Sequence, residues 1–415
     1  MKLSPTQALY LQASIPLTFL AGSSAPTPLY ATYQAAWGFS PVTVTVIFGI
    51  YAVAVLASLL VVGSLSDHVG RRPVLIAAAL TQAATMIIFT SAGGVRDLIL
   101  ARVVQGLATG AAAGAAGAGM LDIDRAKGTI ANAVGPMLGT ATGGLLSGLL
   151  VQFLPAPTKL VYVVLGVLFV AQTVGAWAMT ETAPRRPGAL ASLRPHVRLP
   201  RAAWGPMLVA TPVLVASWAL AGFFGSLGPA LVRRLVGATT TSPALGGAML
   251  FVFAGTGALT VLLSRLRPAR SVMLGGSAAL IVGVAMVLVA VAQSSLVLFF
   301  AGMTIMGTGF GAGFQGALRT VVPLAQPHER AGVLSLVYVV AYLAMGVPAV
   351  VAGLRVVHGG GLVTTAREYG FVVMALAALA IVGMGIGKAR AAMASSSRAR
   401  EALRAVHRRA QRGAA

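Results

Sequence analysis

Long apolar runs alternate with short polar segments along the whole chain. An α-helix needs about 20 apolar residues to cross a hydrocarbon core about 30 Å thick, because it rises about 1.5 Å per residue. The pattern therefore predicts an all-α membrane protein with about twelve transmembrane helices. The runs lie at residues 8–31, 41–62, 73–92, 97–121, 129–153, 158–180, 205–230, 243–263, 271–292, 296–318, 332–354 and 369–387.

The runs fall into two groups of six. Asp124-Arg125-Ala126 opens the fifth run, and Glu329-Arg330-Ala331 opens the eleventh, about half a chain later. This repeat predicts two pseudo-symmetric halves, and parallel halves about an axis along the membrane normal are one known transporter plan. The first run lacks a clear cleavage site, so we interpret it as a span. We expect an N-terminal six-helix half at 1–180, a cytoplasmic basic linker at 181–204, a C-terminal six-helix half at 205–390 and a basic cytoplasmic tail at 391–415.

Composition supports the membrane interpretation. The 415 residues are 57% hydrophobic and 9% charged, and the mean hydropathy is +0.88. A soluble protein of this size carries about 25% charged residues. The lipid bilayer is therefore the expected surroundings of the chain.

The formal charge of +22 has two readings, nucleic-acid binding and the accumulation of Lys and Arg in cytoplasmic loops. With six spans in each half, 23 of the 30 basic residues fall on the side of the termini and the linker, and six on the opposite side. This bias predicts that both termini are cytoplasmic and removes the need for a nucleic-acid partner. Arginine supplies 26 of the basic residues, which fits a GC-rich bacterial genome, so we expect the inner membrane of a bacterium.

Several kinds of chemistry are excluded. The chain has no cysteine, which removes disulfides, thiolate metal sites and cysteine nucleophiles. The five histidines all fall outside the apolar runs, so we expect no metal site and no cofactor. The eight acids are scattered rather than clustered near one leaflet, which argues against an integral-membrane enzyme.

The loop between the second and third runs reads Gly-Ser-Leu-Ser-Asp-His-Val-Gly-Arg-Arg-Pro-Val-Leu from Gly63 to Leu75. Gly63 allows helices to approach closely, and Gly70 permits a tight turn. A carboxylate such as Asp67 can meet the positive N-terminus of a neighbouring helix, and Arg71 can pair with a carboxylate. The alternative is an ordinary positive-inside loop with one stray acid.

The fourth run contains Arg102 within the apolar segment, followed by Gln105 and Gly106. A lone arginine inside a span costs several kcal/mol, so it needs a partner or a role. One interpretation is a buried functional arginine. The other is that Arg102 snorkels to the outer interface and pairs with Asp97.

Glycines recur every fourth residue in the fourth and fifth runs. Such a stripe lets two helix backbones pack closely, which alone explains the pattern. The fifth run adds a proline inside its stripe. Its set is Gly135, Pro136, Gly139 and Gly143.

The loop resembles the signature of the major facilitator superfamily, G-x-L-a-D-r-x-G-r-r-x-x-l, with Ser66 and His68 as mild departures. Arg102, Gln105 and Gly106 are similar to the family's R-v-x-q-G pattern in helix 4. The fifth-run set resembles the G-P-x-x-G-G motif of the family's antiporters, although the double glycine comes four residues late. The closest branch by motif is that of drug and metabolite exporters. The loop match covers Gly63, Leu65, Asp67, Gly70, Arg71, Arg72 and Leu75.

The resemblance implies roles for specific residues. Arg102, with Asp97 nearby, is the candidate for coupling. An acid at the inner end of helix 4 often joins the loop charges in this family, and Asp122 and Asp124 compete for that position. The conformational latch implied by the resemblance contains Gly63, Asp67, Gly70, Arg71, Arg72 and Asp122.

In this family the pathway is lined mainly by helices 1, 4, 7 and 10. We expect Pro26 and Pro28 to break the first span and to free carbonyls toward a cavity. Plain helix packing is the alternative explanation for each polar or aromatic residue on these helices. The cavity candidates are Gln12, Ser23, Ser24, Tyr30, Gln105, Thr109, Trp218, Phe223, Phe224, Thr304, Thr308, Phe310 and Gln315.

The second half keeps less of the pattern. The segment from Ser264 to Arg270 stands where the loop signature should repeat, but it has no acid and no glycine. A latch on this side would rest on arginines alone. The glycine-rich tenth run is typical of a flexible or closely packed helix. In the tail, apolar residues at helical spacing between Arg398 and Arg412 predict either an amphipathic helix on the anionic leaflet or a solvated segment.

These observations predict a monomeric secondary transporter that moves a small organic solute by alternating access, with proton-linked efflux as the leading hypothesis. No acid or histidine lies in the middle of a run, so Asp67, Asp97 or Asp122 would have to carry the proton. A cavity without a carboxylate favours neutral or anionic amphiphilic substrates. The alternatives are a nutrient-uptake or facilitated-diffusion permease, and a non-transporting receptor or scaffold on the same fold.

Overall fold

Twelve long α-helices follow one another in the part of the chain that the computed structural model describes, which is residues 2–195, 197–237, 242–326 and 329–413. The side chains of residues 388–413 are outside that description, so the prediction for the tail falls beyond it. The helices are α1 (Pro5–Ser24), α2 (Pro41–Val62), α3 (Arg71–Thr90), α4 (Val95–Ile123), α5 (Arg125–Phe153), α6 (Leu160–Ala178), α7 (Arg201–Ser226), α8 (Pro243–Ser264), α9 (Ala269–Ala292), α10 (Leu296–Val321), α11 (Arg330–His358) and α12 (Gly361–Gly413).

Short helices join some of them, and the described residues contain no strand. Eleven of the described helices, α2 to α12, are long and apolar enough to cross a membrane. In α12 the segment that meets this criterion is residues 361–387. The all-α prediction is confirmed. The short elements are Tyr30–Trp37, Ser66–Val69, Ala189–Ser192, Gly228–Val236 and the 3-10 turn Val322–Leu324.

Helix α1 differs from the predicted run at 8–31. It starts at Pro5, because Ser4 caps it by accepting a hydrogen bond from the amide of Gln7. It ends at Ser24, where a turn containing Pro26 and Pro28 leads into the helix Tyr30–Trp37. A proline lacks an amide proton, so two prolines this close together stop the ladder of helical hydrogen bonds.

Helix α12 also differs from its predicted run, because it begins at Gly361 rather than at 369. Its first turns hold polar residues that hydropathy alone excludes. Glu368 accepts two hydrogen bonds from Arg355 of α11, at 3.1 Å from Nε and 2.6 Å from Nη2. The Thr365 hydroxyl donates to the carbonyl of Gly361 at 2.9 Å. The ion pair of Glu368 and the hydrogen bond of Thr365 satisfy these polar side chains, so the helix can include them.

The helices of each half pack in the same arrangement. In the first half α1 contacts α4, α5 and α6, α2 contacts α4, and α3 contacts α4 and α6. In the second half α7 contacts α10, α11 and α12, α8 contacts α10, and α9 contacts α10 and α12. Adding six to each helix number of the first set gives the second set. The structure is therefore two pseudo-symmetric six-helix halves.

Glycines set the closest approaches within each half. A Cβ on Gly106 of α4 would lie 2.8 Å from the Tyr51 carbonyl oxygen of α2, and one on Gly110 would lie 2.6 Å from the Val55 oxygen. In the second half, a Cβ on Gly311 of α10 would lie 2.8 Å from the backbone of α8. Any side chain at these positions would force the helices apart.

The halves meet through two equivalent helix pairs, α5 with α8 and α2 with α11. We call the side of the N terminus and of the α6–α7 linker the terminal side, and the opposite side the distal side. The close contacts run toward the distal ends. The Thr27 hydroxyl donates to the Gly225 carbonyl across the halves at 3.0 Å, and a Cβ on Gly49 would lie 3.2 Å from Val350. The distal side is therefore closed.

A single span, α6, separates residues 159 and 190, so they are expected on opposite sides of the membrane. The chain has no native cysteine, so a single introduced cysteine reports only its own position. In intact cells, a membrane-impermeant maleimide is expected to label Lys159→Cys in the α5–α6 loop and to spare Leu190→Cys in the exposed linker. Labelling of the reverse pattern would contradict the orientation predicted from the arginine bias.

Candidate functional site

Arg71, the first residue of α3, holds together the α2–α3 loop and the end of α4. Its Nε donates to Asp122 at 3.2 Å, and its Nη1 donates to Ser66 at 2.8 Å and to Asp67. The Arg71 side chain is 9% exposed, against 53% for Asp67 and 36% for Asp122. The arginine is thus enclosed, while both carboxylates keep water access at the membrane boundary.

Asp122 and not Asp124 reaches Arg71. Asp124 instead caps α5, because its Oδ1 accepts from the amides of Ala126 and Lys127, each at 3.0 Å. The Lys127 amide is the main cause that lowers the pKa of the Asp124 carboxyl. Asp122 therefore pairs with Arg71, whereas Asp124 stabilises the start of α5.

Glu181, at the start of the linker, caps α3. Its carboxylate accepts from the amide of Arg71 at 2.8 Å and from the amide of Arg72 at 3.1 Å. Gly70 makes this possible, since its φ of 100° turns the chain and a Cβ there would lie 2.8 Å from the Glu181 carboxyl carbon. A negative charge at the positive end of α3 is stabilising.

The linker follows the same loop for several more residues. The Arg186 amide donates to the His68 carbonyl at 2.8 Å, and the Ser64 hydroxyl donates to the Ser192 carbonyl at 2.9 Å. Farther on, the Arg198 amide donates to the Gly332 carbonyl of α11 at 3.5 Å. The linker therefore lies against the first half and then reaches the second.

Arg72 turns away from the carboxylates. Its Nη2 donates to the carbonyl of Trp177, at the end of α6, and its guanidinium lies 6.0 Å from the Trp177 ring centre. This contact joins the start of α3 to the end of α6. Among the charged residues of the implied latch, Arg72 is the one that the structure places outside the Arg71 ion pairs.

Two arginines hold the corresponding loop of the second half. Arg319 of α10 donates to the carbonyls of Ser264 at 3.2 Å and Arg267 at 2.7 Å, and Arg270 donates to the Met384 carbonyl at 3.0 Å. No carboxylate of the described residues joins them. Carbonyl oxygens thus replace the acids of the first half.

Arg102 is completely buried and is bonded to the broken end of α1. Its Nη1 donates to the Ser23 carbonyl at 2.8 Å and to Gln105 at 2.7 Å, and its Nη2 donates to the Tyr30 hydroxyl at 2.6 Å. Gln105 in turn donates to the Gly22 carbonyl at 3.0 Å. The carbonyls that the prolines free are therefore taken by α4 rather than by an open cavity.

The guanidinium of Arg102 also lies among aromatic rings, 5.3 Å from the centre of Tyr51 and 6.0 Å from that of Phe89. Asp97 is not its partner: that carboxylate accepts from the Gly93 amide at 2.8 Å. No carboxylate of the described residues forms an ion pair with Arg102. The snorkelling interpretation is wrong, because the arginine has no exposure, and its charge is solvated by neutral acceptors.

The remaining cavity candidates are scattered. Ser24 and Thr109 are buried and bond carbonyls of their own helices, Gln12 is buried and donates to the Met179 sulfur at 3.5 Å, and Gln315 joins α10 to α8. Phe223 and Phe224 lie in the core of the second half, and Thr304 and Thr308 donate to carbonyls of α10 itself.

Trp218 lies where the halves meet. Its ring centre is 5.1 Å from Tyr342 and 5.3 Å from Phe314, with Phe310 at 6.4 Å, and it packs with Phe48 of the first half. Its indole nitrogen is buried without a hydrogen-bond partner. Trp218 is therefore a candidate of the second half that packs at the interface between the halves.

The sequence interpretation missed Glu181, Tyr51 and Tyr342. Glu181 did carry a signal, because it is the only acid in the basic linker. Tyr51 and Tyr342 stand in apolar runs that gave no reason to single them out. Their proximity to Arg102 and Trp218 arises only from the packing of helices distant in sequence.

Removal of the Tyr30 hydroxyl is expected to destabilise the protein. A hydrogen bond to a charged group contributes about 1.5–3 kcal/mol, against about 0.5–1.5 kcal/mol for a neutral pair. Tyr33→Phe is the matched control, because its hydroxyl bonds the neutral hydroxyl of Tyr162 at 3.2 Å. The thermal unfolding midpoint of Tyr30→Phe should fall further than that of Tyr33→Phe. Equal midpoints would mean that Tyr30 does not solvate Arg102.

Acid should weaken the cap on α5. The folded-state pKa of Asp124 is lowered, so its contribution to stability is present above the unfolded pKa, about 3.9, and is lost as pH falls through the folded pKa. Asp124→Asn keeps a capping side chain but does not titrate. Its unfolding midpoint should decline less on acidification than that of the wild type. Parallel declines would show that Asp124 does not contribute.

Comparison with known proteins places the chain in a family. The sequence model described as Major Facilitator Superfamily matches residues 15–349. A search of curated proteins found no match.

Two solved structures that are similar to this chain in fold are those of transporters. A bacterial homologue of the human lysosomal transporter Spinster, in an inward-facing and unoccupied conformation, has 15% identity and a TM-score of 0.73, covering 92% of this chain and 98% of that one. The nucleoside transporter NupG has 14% identity and a TM-score of 0.63, covering 93% of this chain and 98% of that one. The predicted fold class is confirmed, and the chain belongs to the Major Facilitator Superfamily.

Proposed function

We propose that this protein is a secondary active exporter that moves a small neutral or anionic organic solute by alternating access in a bacterial inner membrane, with proton exchange as the driving force. The observation that carries the proposal is the closure of the distal side by α5 against α8 and α2 against α11. Two like halves that touch through two equivalent helix pairs can rock about them, which is the geometry that alternating access requires.

The charged network around Arg71 supports a switching role for the terminal side. Asp67, Arg71 and Asp122 connect α3 to α4, while Glu181 ties the linker to the same helix end. The linker then contacts α11 at Gly332. A movement of the second half would therefore shift the linker and, through Glu181, the network around Arg71. Asp67 and Asp122, partly exposed, are the acids best placed to exchange protons with the cytoplasm.

The support for export is the resemblance of the proline-containing glycine stripe of α5 to the motif of the family's antiporters, and the packing of this helix fits a role in coupling. Gly139 and Gly143 pack against the backbone of α1 at Leu17 and Ala21, whereas Gly144 packs against Leu250 of α8 in the other half. Helix α5 thus touches the other half with one face and the broken helix α1 with another. A position of this kind would pass movement of α8 to the segment that holds Arg102.

Neutralising Asp122 should slow transport, while neutralising Asp124 should not. Asp122→Asn removes one ion pair of Arg71, and a loss of about 1.4 kcal/mol would lower the rate about tenfold. Asp124→Asn keeps the cap on α5 and leaves Arg71 unchanged. Inside-out vesicles acidified by respiration, with a pH-sensitive dye inside, would report proton efflux as each of a panel of drugs, sugars and organic acids is added.

Asp67→Asn belongs in the same experiment. A transporter should lose flux with this variant while it stays folded, whereas a scaffold would show no flux in any variant. If solute flux ignores the pH gradient, proton exchange is wrong. If intact cells accumulate a labelled solute only when the protein is present, the direction is uptake.

A further inference from the structure

A cavity of about 410 Å³ lies between the two halves on the distal side. The first half supplies Thr32, which follows the break in α1, and Gln152 at the end of α5. The second half supplies Arg233 and Ser242 from the connection between α7 and α8. None of these residues belongs to the Arg71 network or to the Arg102 cluster.

Arg233 gives the cavity a positive charge, and the described residues that line the cavity include no acid. It stands on the helix Gly228–Val236, is partly buried, and its Nε is buried without a hydrogen-bond partner. Burial lowers the pKa of Arg233, but arginine stays protonated at neutral pH. No ion pair of the described residues includes it, and residues 238–241, which lie outside the description, contain no acid in the sequence.

The polar group of Gln152 offers the cavity a hydrogen-bond donor rather than an acceptor. The Gln152 side-chain oxygen already accepts from the Ser242 hydroxyl at 3.0 Å and from the Ala244 amide at 3.1 Å. The amide NH₂ group of Gln152 therefore remains available to donate a hydrogen bond to a ligand. The rest of the lining is largely apolar, with Pro28, Val151 and Pro229 among it. A guanidinium beside a free amide donor, with apolar walls, is complementary to an oxyanion on an apolar body.

We propose that this cavity binds a small organic anion, a carboxylate or phosphate on an apolar body, which enters from the distal side and holds the distal side closed. Both halves contribute walls, so the cavity exists only while they are together at that side. A ligand that binds one state and not the other shifts the population toward the state it binds. This second consequence rests on the alternating access proposed above, whereas binding itself does not.

Three probes of nearly equal shape test the charge preference: benzoate, benzamide and benzamidinium. Benzoate should raise the thermal unfolding midpoint of the purified protein in a concentration-dependent way, because a ligand of the folded state stabilises it. Neutral benzamide and cationic benzamidinium should not. Equal shifts with all three probes, or none with benzoate, would overturn the proposal.

Two neighbouring arginines provide the matched variants. Arg233→Gln removes the charge that lines the cavity and should abolish the shift with benzoate. Arg234→Gln removes an exposed charge that does not line it, and should keep the shift. The opposite result, or loss of the shift in both variants, would place the anion elsewhere.

A single cysteine separates binding from switching. Thr27 is 1% exposed and bonds the other half, so Thr27→Cys should react with a maleimide only when the distal side opens. Benzoate should slow this labelling several-fold, and not in the Arg233→Gln background. Labelling that benzoate leaves unchanged would refute the closing effect. A cysteine that never reacts would contradict alternating access, while the thermal shifts would still decide whether the anion site exists.

Discussion

Close contact between helix backbones is the constraint on which the rest of this structure depends. Lipid tails are as apolar as leucine, so burial of apolar side chains gives little preference for one helix arrangement over another. Glycine supplies the preference by removing the Cβ. Gly106 and Gly110 bring α4 onto α2, and Gly311 brings α10 onto α8 in the same relation. These approaches set the helix positions, and the helix positions bring Arg102 to the end of α1.

The two halves share this backbone plan but differ in how they use charge. The first half pairs Arg71 with Asp67 and Asp122, whereas Arg319 in the second half donates to carbonyls. Arg102 in the first half also relies on neutral acceptors. Among the described residues, the arginine–carboxylate pairs of the terminal side therefore lie in the first half.

Much of the fold was predictable because a span has a length that apolar residues alone specify. The prediction failed at the ends of α1 and α12, where a serine cap, two prolines and the Arg355–Glu368 pair decided the boundary. The resemblance implied Asp122 as the partner of Arg71, with Asp124 as the alternative. Only the structure separates the two, because α4 ends at Ile123 and Asp124 beyond it caps α5.

Other features of the structure cannot be predicted from the pattern of side chains along the sequence. The acceptors for Arg102 include a backbone carbonyl, which every residue has, so no sequence motif could mark it. Export, proton coupling and the latch role of Asp67 stay predictions. The aromatic group around Trp218 was not predictable either, because it is assembled from α7, α10 and α11 together with Phe48 of α2.

The cap that Glu181 places on α3 has a consequence for the order of synthesis. Every partner of Arg71 described above lies at or before residue 181, and the linker contacts with the same loop end at Ser192. A ribosome has therefore produced all the parts of this network before it begins α7. Domains generally fold as units, the N-terminal one first, as they leave the ribosome. The first half can therefore fold before the second half is synthesised. The faces of α2 and α5 that contact α11 and α8 stay uncovered until the second half is made.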